Sequence, residues 1–258
     1  MIDIQNQPDK RNIPLAKVGV KGLEYPIRVL DKVNKNQYTT AKVDLFANLP
    51  RHFKGTHMSR FIEIFHQYRQ DLSMQRFLAM LENIRQTMEA ESSFGSISFP
   101  YFIEKKAPVS GLPGMMSYQC CYQGERNATG KRFTVSIAVP ITTVCPCSKA
   151  ISERGAHNQR GIVTVMVESE SFFWIEDLID IVEKSASSPV YSLLKREDEK
   201  FITEQAYDNP KFVEDVVRDV LASVKALDKF LSFSVTAENF ESIHNHSAFA
   251  YAEYPSGV

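Results

Sequence analysis

Two cysteines and a histidine in one short segment have side chains that can bind a metal or attack a substrate. The segment ITTVCPCSKAISERGAHNQRG (residues 141–161) places Cys145 and Cys147 one residue apart and His157 ten residues after the second cysteine. A disulfide between the two cysteines would close a very small, strained ring. A thiolate with an imidazole is instead a donor set suited to zinc or ferrous iron. Two cysteines simply packed under a loop are the plain alternative.

The number of ligands separates two kinds of metal site. A structural zinc site uses four Cys or His ligands, and the second half of such a set is missing here unless His244 and His246 supply it. Three ligands with an open position make a catalytic site, because a bound water can be acidified toward neutral pH. A third ligand must then come from elsewhere in the chain.

A second group of candidates lies in ENFESIHNHS (residues 238–247). His244 and His246 are two residues apart, so on a strand both would face the same way, close in sequence to Glu241. Imidazoles ligate metals when neutral and transfer protons near pH 7. Ordinary surface histidines at the start of a strand are the alternative.

Acidic residues supply the remaining candidates. The KREDEK run (195–200) is typical of a solvated loop, yet Asp198 or Glu199 could be a hard oxygen ligand that completes a Cys/His set. Glu214 falls near the start of a helical pattern, where backbone amides keep a carboxylate ionised. Such a carboxylate could accept two hydrogen bonds from adjacent N–H donors of a planar base. A charge that merely favours the helix start is the alternative.

The first half of the chain contains one candidate for anion binding. RHFKGTHMSRF (residues 51–61) places five basic side chains, counting both histidines, around a glycine. It could be an anion-binding loop that leads into a helix N-terminus, or a plain helix start. Cys120 and Cys121 are consecutive in a strand-like segment and are expected to be packing residues.

The elements that must position these residues fall into two series with the same order. Strand patterns lie at 23–30, 38–49, 95–105, 115–125, 132–140, 161–169, 231–239 and 246–254. Helical patterns lie at 59–70, 74–91, 174–186 and 209–227. Ser73 is the expected N-cap of the second helix, and Asn209 with Pro210 the expected start of the last.

Each half therefore has the predicted element order strand–strand–helix–helix–strand–strand. This order predicts an α+β fold of two tandem ββααββ units with antiparallel sheets and helices on one face. We expect an N-terminal arm at 1–20, a first unit at 21–126, and a second unit at 127–258 that carries most of the site.

Composition narrows the class of protein. The chain has 258 residues, of which 43% are hydrophobic and 24% charged, as in ordinary soluble globular proteins. The net charge of −1 gives no electrostatic footprint for nucleic acid or an acidic membrane, so we expect neither as a partner. The N-terminus lacks a signal-peptide pattern and no apolar run approaches the roughly 20 residues of a membrane helix, which predicts a cytoplasmic protein.

Several segments together resemble one enzyme family. PITTVCPCSKAIS, GAHNQRG, LLKREDEKFITEQAYDNPKFVEDVVRDV, ENFESIHNHSA and KGTHMSRF are similar, in order and spacing, to the prokaryotic type IB GTP cyclohydrolase I family. The resemblance runs from about residue 10 to 254. It implies two tunnelling-fold (T-fold) units per chain, assembly into a barrel, and a homotetramer with active sites at subunit interfaces.

The same resemblance implies a reaction and a cofactor. The family's hydrolases convert GTP and water to 7,8-dihydroneopterin triphosphate and formate, the first step toward folate (tetrahydrofolate) and other pterins. They depend on a divalent metal, and zinc, manganese and iron are all associated with them. A related T-fold enzyme acting on another purine or pterin, and a non-enzymatic module stabilised by zinc, are the alternatives.

Roles follow for individual residues by the same resemblance. The implied metal ligands are Cys145, His157 and Glu199. Cys147 would act in proton transfer, although the two cysteines could exchange roles. Glu214 would anchor the guanine N1–H and exocyclic amine. The implied acid–base groups are Glu241, His244 and His246. Candidate cations for the triphosphate are Lys195 and Arg196, with Lys54, Arg60 and Lys149.

Overall fold

The computed structural model of the chain describes residues 10–255. The first half of this part contains β1 (Leu15–Asp31), β2 (Lys35–Leu49), α1 (Met58–Tyr68), α2 (Met74–Thr87), β3 (Ser92–Lys106) and β4 (Pro113–Asn127). The second half contains β5 (Lys131–Val144), α3 (Pro146–Ile151), β6 (Asn158–Glu168), α4 (Ile175–Ser185), β7 (Ser188–Pro189), α5 (Arg196–Asp208), α6 (Val213–Ala226), β8 (Ser232–Phe240) and β9 (Ser247–Tyr254).

The strands form an antiparallel sheet in the order β1-β2-β3-β4-β5-β6-β8-β9, and the short β7 pairs with β5. The register between β6 and β8 runs from Gly161 opposite Asn239 to Glu168 opposite Ser232. The predicted α+β class and the antiparallel sheet are therefore confirmed. Within the described residues, no helix is both long and apolar enough to cross a membrane.

Two compact units form along the chain. The first comprises residues up to 100 together with 121–135, and the second comprises 101–120 together with the residues from 136 onward. The predicted division between 126 and 127 stays a prediction. Strand β1 begins at Leu15, so the last residues of the expected arm belong to the sheet, whereas residues 1–9 lie outside the described part.

The first half has the predicted ββααββ order, and the second half adds elements to it. The additions are helix α3, which lies between β5 and β6, the short strand β7, and helix α5, which begins in the charged KREDEK run. The expectation of a solvated loop at 195–200 was therefore wrong. The side chain of Asp198 explains the helix, because it accepts a hydrogen bond from the backbone N–H of Lys195 at 2.9 Å, just before the first turn.

The expected start of the last helix was also wrong. Asn209 is the C-cap of α5, and its side-chain amide donates to the carbonyl oxygen of Ala186 at 3.0 Å. Helix α6 begins at Val213, where Asp215 accepts from the backbone N–H of Phe212 at 3.0 Å. Ser73 does precede α2, but its side chain makes no capping hydrogen bond.

Helix α6 is fixed by a stripe of valines. The buried positions on this helix are Val213, Val216, Val217, Val220 and Val224. The helix packs on β8 and β9. Full burial of each such side chain contributes about 1.5–3 kcal/mol. The stripe thus holds the N-terminus of α6, where Glu214 lies, in one place.

A charged cluster on α2 stabilises the first unit. Glu82 accepts hydrogen bonds from Arg85 at 2.7 and 3.0 Å, from Arg126 of β4 at 3.0 Å and from Gln86 at 2.7 Å. The bonds from Arg85 above all, and those from Arg126 and Gln86, lower the pKa of Glu82 to about 2, although burial acts in the opposite direction. The carboxylate therefore ties α2 to β4.

Candidate active site

A cavity of about 270 Å³ in the second unit gathers most of the predicted site residues. Its wall includes Cys145, His157, Glu214, Glu241, His244 and His246. These come from the end of β5, the start of β6, the first turn of α6 and the connection from β8 to β9. Residues far apart in sequence thus meet around one space.

The other predicted residues lie off this wall. Cys147 is exposed on α3, and Glu199, Lys195 and Arg196 are exposed at the start of α5. Their predicted roles stay predictions. Among the candidate cations, Lys149 lies 4.2 Å from the centre of the Tyr207 ring, and Arg60 donates to the carbonyl oxygen of Thr87 at 3.3 Å.

The loop between β5 and β6 closes on itself and brings Cys145 to His157. The backbone N–H of Cys145 donates to the carbonyl oxygen of His157 at 3.1 Å. The Ser148 hydroxyl accepts from the backbone N–H of His157 at 3.1 Å. Cys145 is the N-cap of α3, and its sulfur accepts from the backbone N–H of Ser148 at 3.4 Å. The thiol and the imidazole are therefore held in place together.

The imidazole of His157 is oriented by a buried amide. The Nδ1 atom of His157 lies 2.9 Å from Oε1 of Gln159, and Nε2 of Gln159 donates to the hydroxyl of Thr143 at 2.8 Å. Because the amide nitrogen is committed to Thr143, its oxygen faces the ring and accepts from a protonated Nδ1. This hydrogen-bond network assigns the tautomer in which Nε2 keeps its lone pair. Oε2 of Glu241 lies 3.8 Å from the same Nδ1.

Glu214 is placed by the start of α6. It is the second residue of this helix, exposed, and part of the cavity wall. Just before the helix, the backbone N–H of Lys211 donates to the carbonyl oxygen of Val144 at 3.0 Å. Since Cys145 follows Val144 directly, one hydrogen bond sets the helix start beside the cysteine.

The two histidines of the β8–β9 connection form a stacked pair. The ring centres of His244 and His246 lie 5.2 Å apart with an angle of 19° between the planes. Both side chains are exposed, whereas Glu241 is 11% exposed. Three titratable side chains thus occupy the side of the cavity formed by this connection.

Asp198 has a structural role, contrary to the suggestion that it could be a metal ligand. Its fully buried carboxylate accepts from the backbone N–H groups of Val109 and Ser110 at 2.8 and 2.9 Å, from the Ser110 hydroxyl at 2.7 Å, and from Lys195. Burial raises the pKa of Asp198, but these hydrogen bonds outweigh it and hold the pKa well below its usual range. The carboxylate joins the start of α5 to the loop before β4.

Sequence reasoning missed three polar residues of the wall: Gln159, Lys211 and Asn239. Gln159 is two residues after His157, and Asn239 is two residues before Glu241. His157 and Glu241 lie just outside strands β6 and β8, near whose ends Gln159 and Asn239 lie, so strand alternation alone indicates neither amide.

Two of the three predicted metal ligands, Cys145 and His157, have side chains suited to a divalent metal. A thiolate and an imidazole with a free Nε2 are borderline-soft donors, and an outer hydrogen bond to Nδ1 is the usual support of a metal-binding histidine. Cys145 and His157 meet these requirements on one wall. Within residues 10–255, no three Cys, His, Asp or Glu side chains form a complete metal-binding cluster.

The fold places the chain in a structural class. A uricase from Arthrobacter globiformis aligns with a TM-score of 0.54 at 6% identity, over 92% of each chain. A uricase from Bacillus fastidious aligns with a TM-score of 0.57 at 7% identity, also over 92% of each chain. At such low identity these likenesses show the fold alone, and the fold is the tunnelling fold of uricase-type proteins.

Sequence comparison then gives the family. The family model described as "Type I GTP cyclohydrolase folE2" matches residues 1–250. The GTP cyclohydrolase FolE2 of Syntrophus aciditrophicus (strain SB) is 55% identical over 98% of this chain and 99% of its own length. That of Geobacter sulfurreducens is 51% identical over 98% of both chains. The chain belongs to the FolE2 family, the type IB GTP cyclohydrolases, as the sequence predicted.

Proposed function

We propose that this protein is a GTP cyclohydrolase I that converts GTP and water to 7,8-dihydroneopterin triphosphate and formate, the first step of folate biosynthesis. One observation carries the proposal. Cys145, His157 and Glu214 line a single cavity in a chain of the FolE2 family. A base held by Glu214 would therefore face the thiol and the imidazole.

Glu214 recognises the guanine. Its two carboxylate oxygens accept hydrogen bonds from the N1–H and the exocyclic amine, a pairing that a planar base offers side by side. Glu214 lies in the first turn of α6, at the positive end of the helix dipole. Binding in this orientation leaves C8, on the opposite side of the base, as the reacting atom.

The family implies a metal-dependent enzyme. Cys145 and His157 would hold the metal, with Glu199 as the proposed third ligand, and zinc, manganese and iron are the proposed ions. Such an ion supplies Lewis-acid chemistry that makes water nucleophilic near neutral pH. Gln159 keeps Nε2 of His157 free for this ligation.

Proton transfer completes the reaction. Water adds to C8 and the C8–N9 bond breaks with a proton delivered to N9, which leaves a formamide on N7. A second water cleaves this formamide with a proton delivered to N7, formate leaves, and closure of the pterin ring later releases one water, so the net reaction consumes one. Glu241, His244 and His246 line the cavity and are the acid–base side chains that we propose pass these protons. Cys147, at the first turn of α3, is proposed as a further proton-transfer group.

We propose that binding of the GTP triphosphate depends on assembly of several subunits. Lys195 and Arg196 are exposed beside the start of α5 and carry charges that phosphates require. We propose a homotetramer with active sites at subunit interfaces, in which further cations come from a neighbouring subunit. A reducing, cytoplasmic location is consistent with the four free cysteines.

The test is product formation. Purified protein incubated with zinc, manganese or ferrous iron should release formate from GTP and yield a fluorescent pterin after oxidation. Protein that contains metal and binds GTP, yet releases no formate, would contradict the proposal.

A further inference from the structure

One buried polar atom on the cavity wall lacks a partner. The side chain of Asn239, on β8, is 2% exposed and lines the cavity. Its Oδ1 atom makes no hydrogen bond within the described residues. A buried carbonyl oxygen without a donor lowers stability, so such atoms are rare in folded proteins, and one that faces a cavity has room for a donor from a bound molecule.

The neighbouring strand leaves room for this oxygen. Gly161 of β6 lies opposite Asn239 in the sheet. A Cβ atom at position 161 would come within 2.5 Å of Oδ1 of Asn239 and 3.0 Å of the carbonyl oxygen of Glu238. A glycine here therefore lets the amide occupy its observed position.

The other amide of this wall is already committed. Gln159 uses Oε1 for His157 and Nε2 for Thr143, so both ends of its side chain have partners. Asn239 lies on the same wall, two residues before Glu241, and its oxygen has none. Of these two amides, Asn239 is therefore the one whose oxygen can still accept a hydrogen bond from a molecule in the cavity.

We propose that Oδ1 of Asn239 accepts a hydrogen bond from the occupant of the cavity, and that Asn239 is a substrate-contacting residue. This inference rests on the proposed function. The donor is either an N–H group of the purine base or an O–H of the water that adds to C8. Both groups would donate a hydrogen bond to this oxygen. The GTP affinity and the kcat of a variant distinguish the two donors.

Asn239→Leu, of similar size and without the orphan oxygen, tests the proposal. The matched control is Asn48→Leu, because Oδ1 of Asn48 accepts from the backbone N–H of Ser92 at 2.8 Å. We expect Asn239→Leu to keep or raise the thermal unfolding midpoint and Asn48→Leu to lower it. We expect kcat/KM for GTP to fall at least tenfold in Asn239→Leu. Gly161→Ala, which displaces the amide, should reduce kcat/KM in the same direction.

The affinity of metal-free protein for GTP identifies the donor. A loss of GTP affinity in Asn239→Leu assigns the bond to the base, whereas unchanged affinity with a lower kcat assigns it to the water. Wild-type kcat/KM in Asn239→Leu, or an unfolding midpoint reduced as in Asn48→Leu, would overturn the proposal. If Asn239→Leu does not fold, Asn239→Ala is used with the same criteria for kcat/KM and GTP affinity.

The proposed function and the inference about Asn239 can be disproved by different measurements. If the wild-type protein releases no formate from GTP, the reaction assignment is wrong. The unfolding midpoint and the GTP affinity of the metal-free variants would still decide whether Asn239 contacts the ligand.

Discussion

The backbone N–H of Lys211 donates to the carbonyl oxygen of Val144 at 3.0 Å, and this bond joins the two parts of the site. Cys145 follows Val144 at the end of β5, and Glu214 lies in the first turn of the helix that follows Lys211. The carboxylate of Glu214, which we propose binds the base, and the thiol of Cys145 are therefore positioned by one contact between backbones. Side-chain substitutions at these two positions should separate their roles without moving either segment.

Glu214→Ala should abolish tight GTP binding and leave metal content unchanged. The variant loses two hydrogen bonds to a charged acceptor, each of about 1.5–3 kcal/mol, so the dissociation constant should rise on the order of 100-fold or more. Isothermal titration calorimetry with GTP measures it. Glu197→Ala is the matched control, because Glu197 is likewise the exposed second residue of its helix, α5. Equal affinity in the wild type and Glu214→Ala would exclude the anchor role.

The two cysteines should behave differently. Cys145→Ala should lose bound metal and activity together, since we propose that this thiolate on the cavity wall is a metal ligand. Cys147→Ala should keep the metal and lose turnover by about 10²–10⁴-fold, the usual contribution of a positioned acid or base. Metal content after dialysis and formate release measure the two effects. Cys121→Ala, a half-buried cysteine of β4, controls for general loss of a thiol. Full metal content in Cys145→Ala would show that the ligand is assigned wrongly.

Glu82 should make the first unit sensitive to acid. Its pKa is about 2 in the folded protein against 4.5 as a reference, so it stabilises the fold fully above pH 4.5 and loses this contribution as the pH falls from 4.5 toward 2. Urea unfolding midpoints of wild type and Glu82→Gln should differ most above pH 5, and the difference should shrink as the pH falls below 4.5 and vanish only as it approaches 2. Glu63→Gln, at an exposed position of α1, should follow the wild type at each pH. A difference between wild type and Glu82→Gln that is independent of pH would contradict this.

Periodicity predicted the elements that bury an apolar face and failed where polar contacts hold an element. The α6 stripe and the alternating strands were found because burial imposes their spacing. Helix α5 was missed because Asp198 and Ala206 are its only described buried residues, and Asp198 bonds to a loop 88 and 89 residues away in sequence. Asn209 fits the local rule for an N-cap, yet its amide bonds to Ala186 instead.

The sequence likewise predicted some residues of the site and missed others. Residue type and the family resemblance identified Cys145, His157 and Glu214, which the fold brings to one cavity. Gln159 was missed because its role depends on Thr143, which is 16 residues away and on another strand. The sequence cannot show which polar side chain of a strand turns toward an imidazole. Such supporting contacts require coordinates.

Gln159→Leu tests whether this support matters for the metal. Without the amide oxygen, Nδ1 of His157 loses its acceptor, and we expect the imidazole to populate both tautomers instead of the Nδ1–H form alone. ¹⁵N NMR of histidine-labelled, metal-free protein reports the tautomer directly. Metal affinity, measured by competition with a chelator, should fall about 10- to 100-fold, as for other outer-shell partners. Gln119→Leu, at an exposed position of β4, should change neither quantity. An unchanged tautomer in Gln159→Leu would show that other contacts of the ring fix its protonation, and the affinity should then stay at the wild-type value.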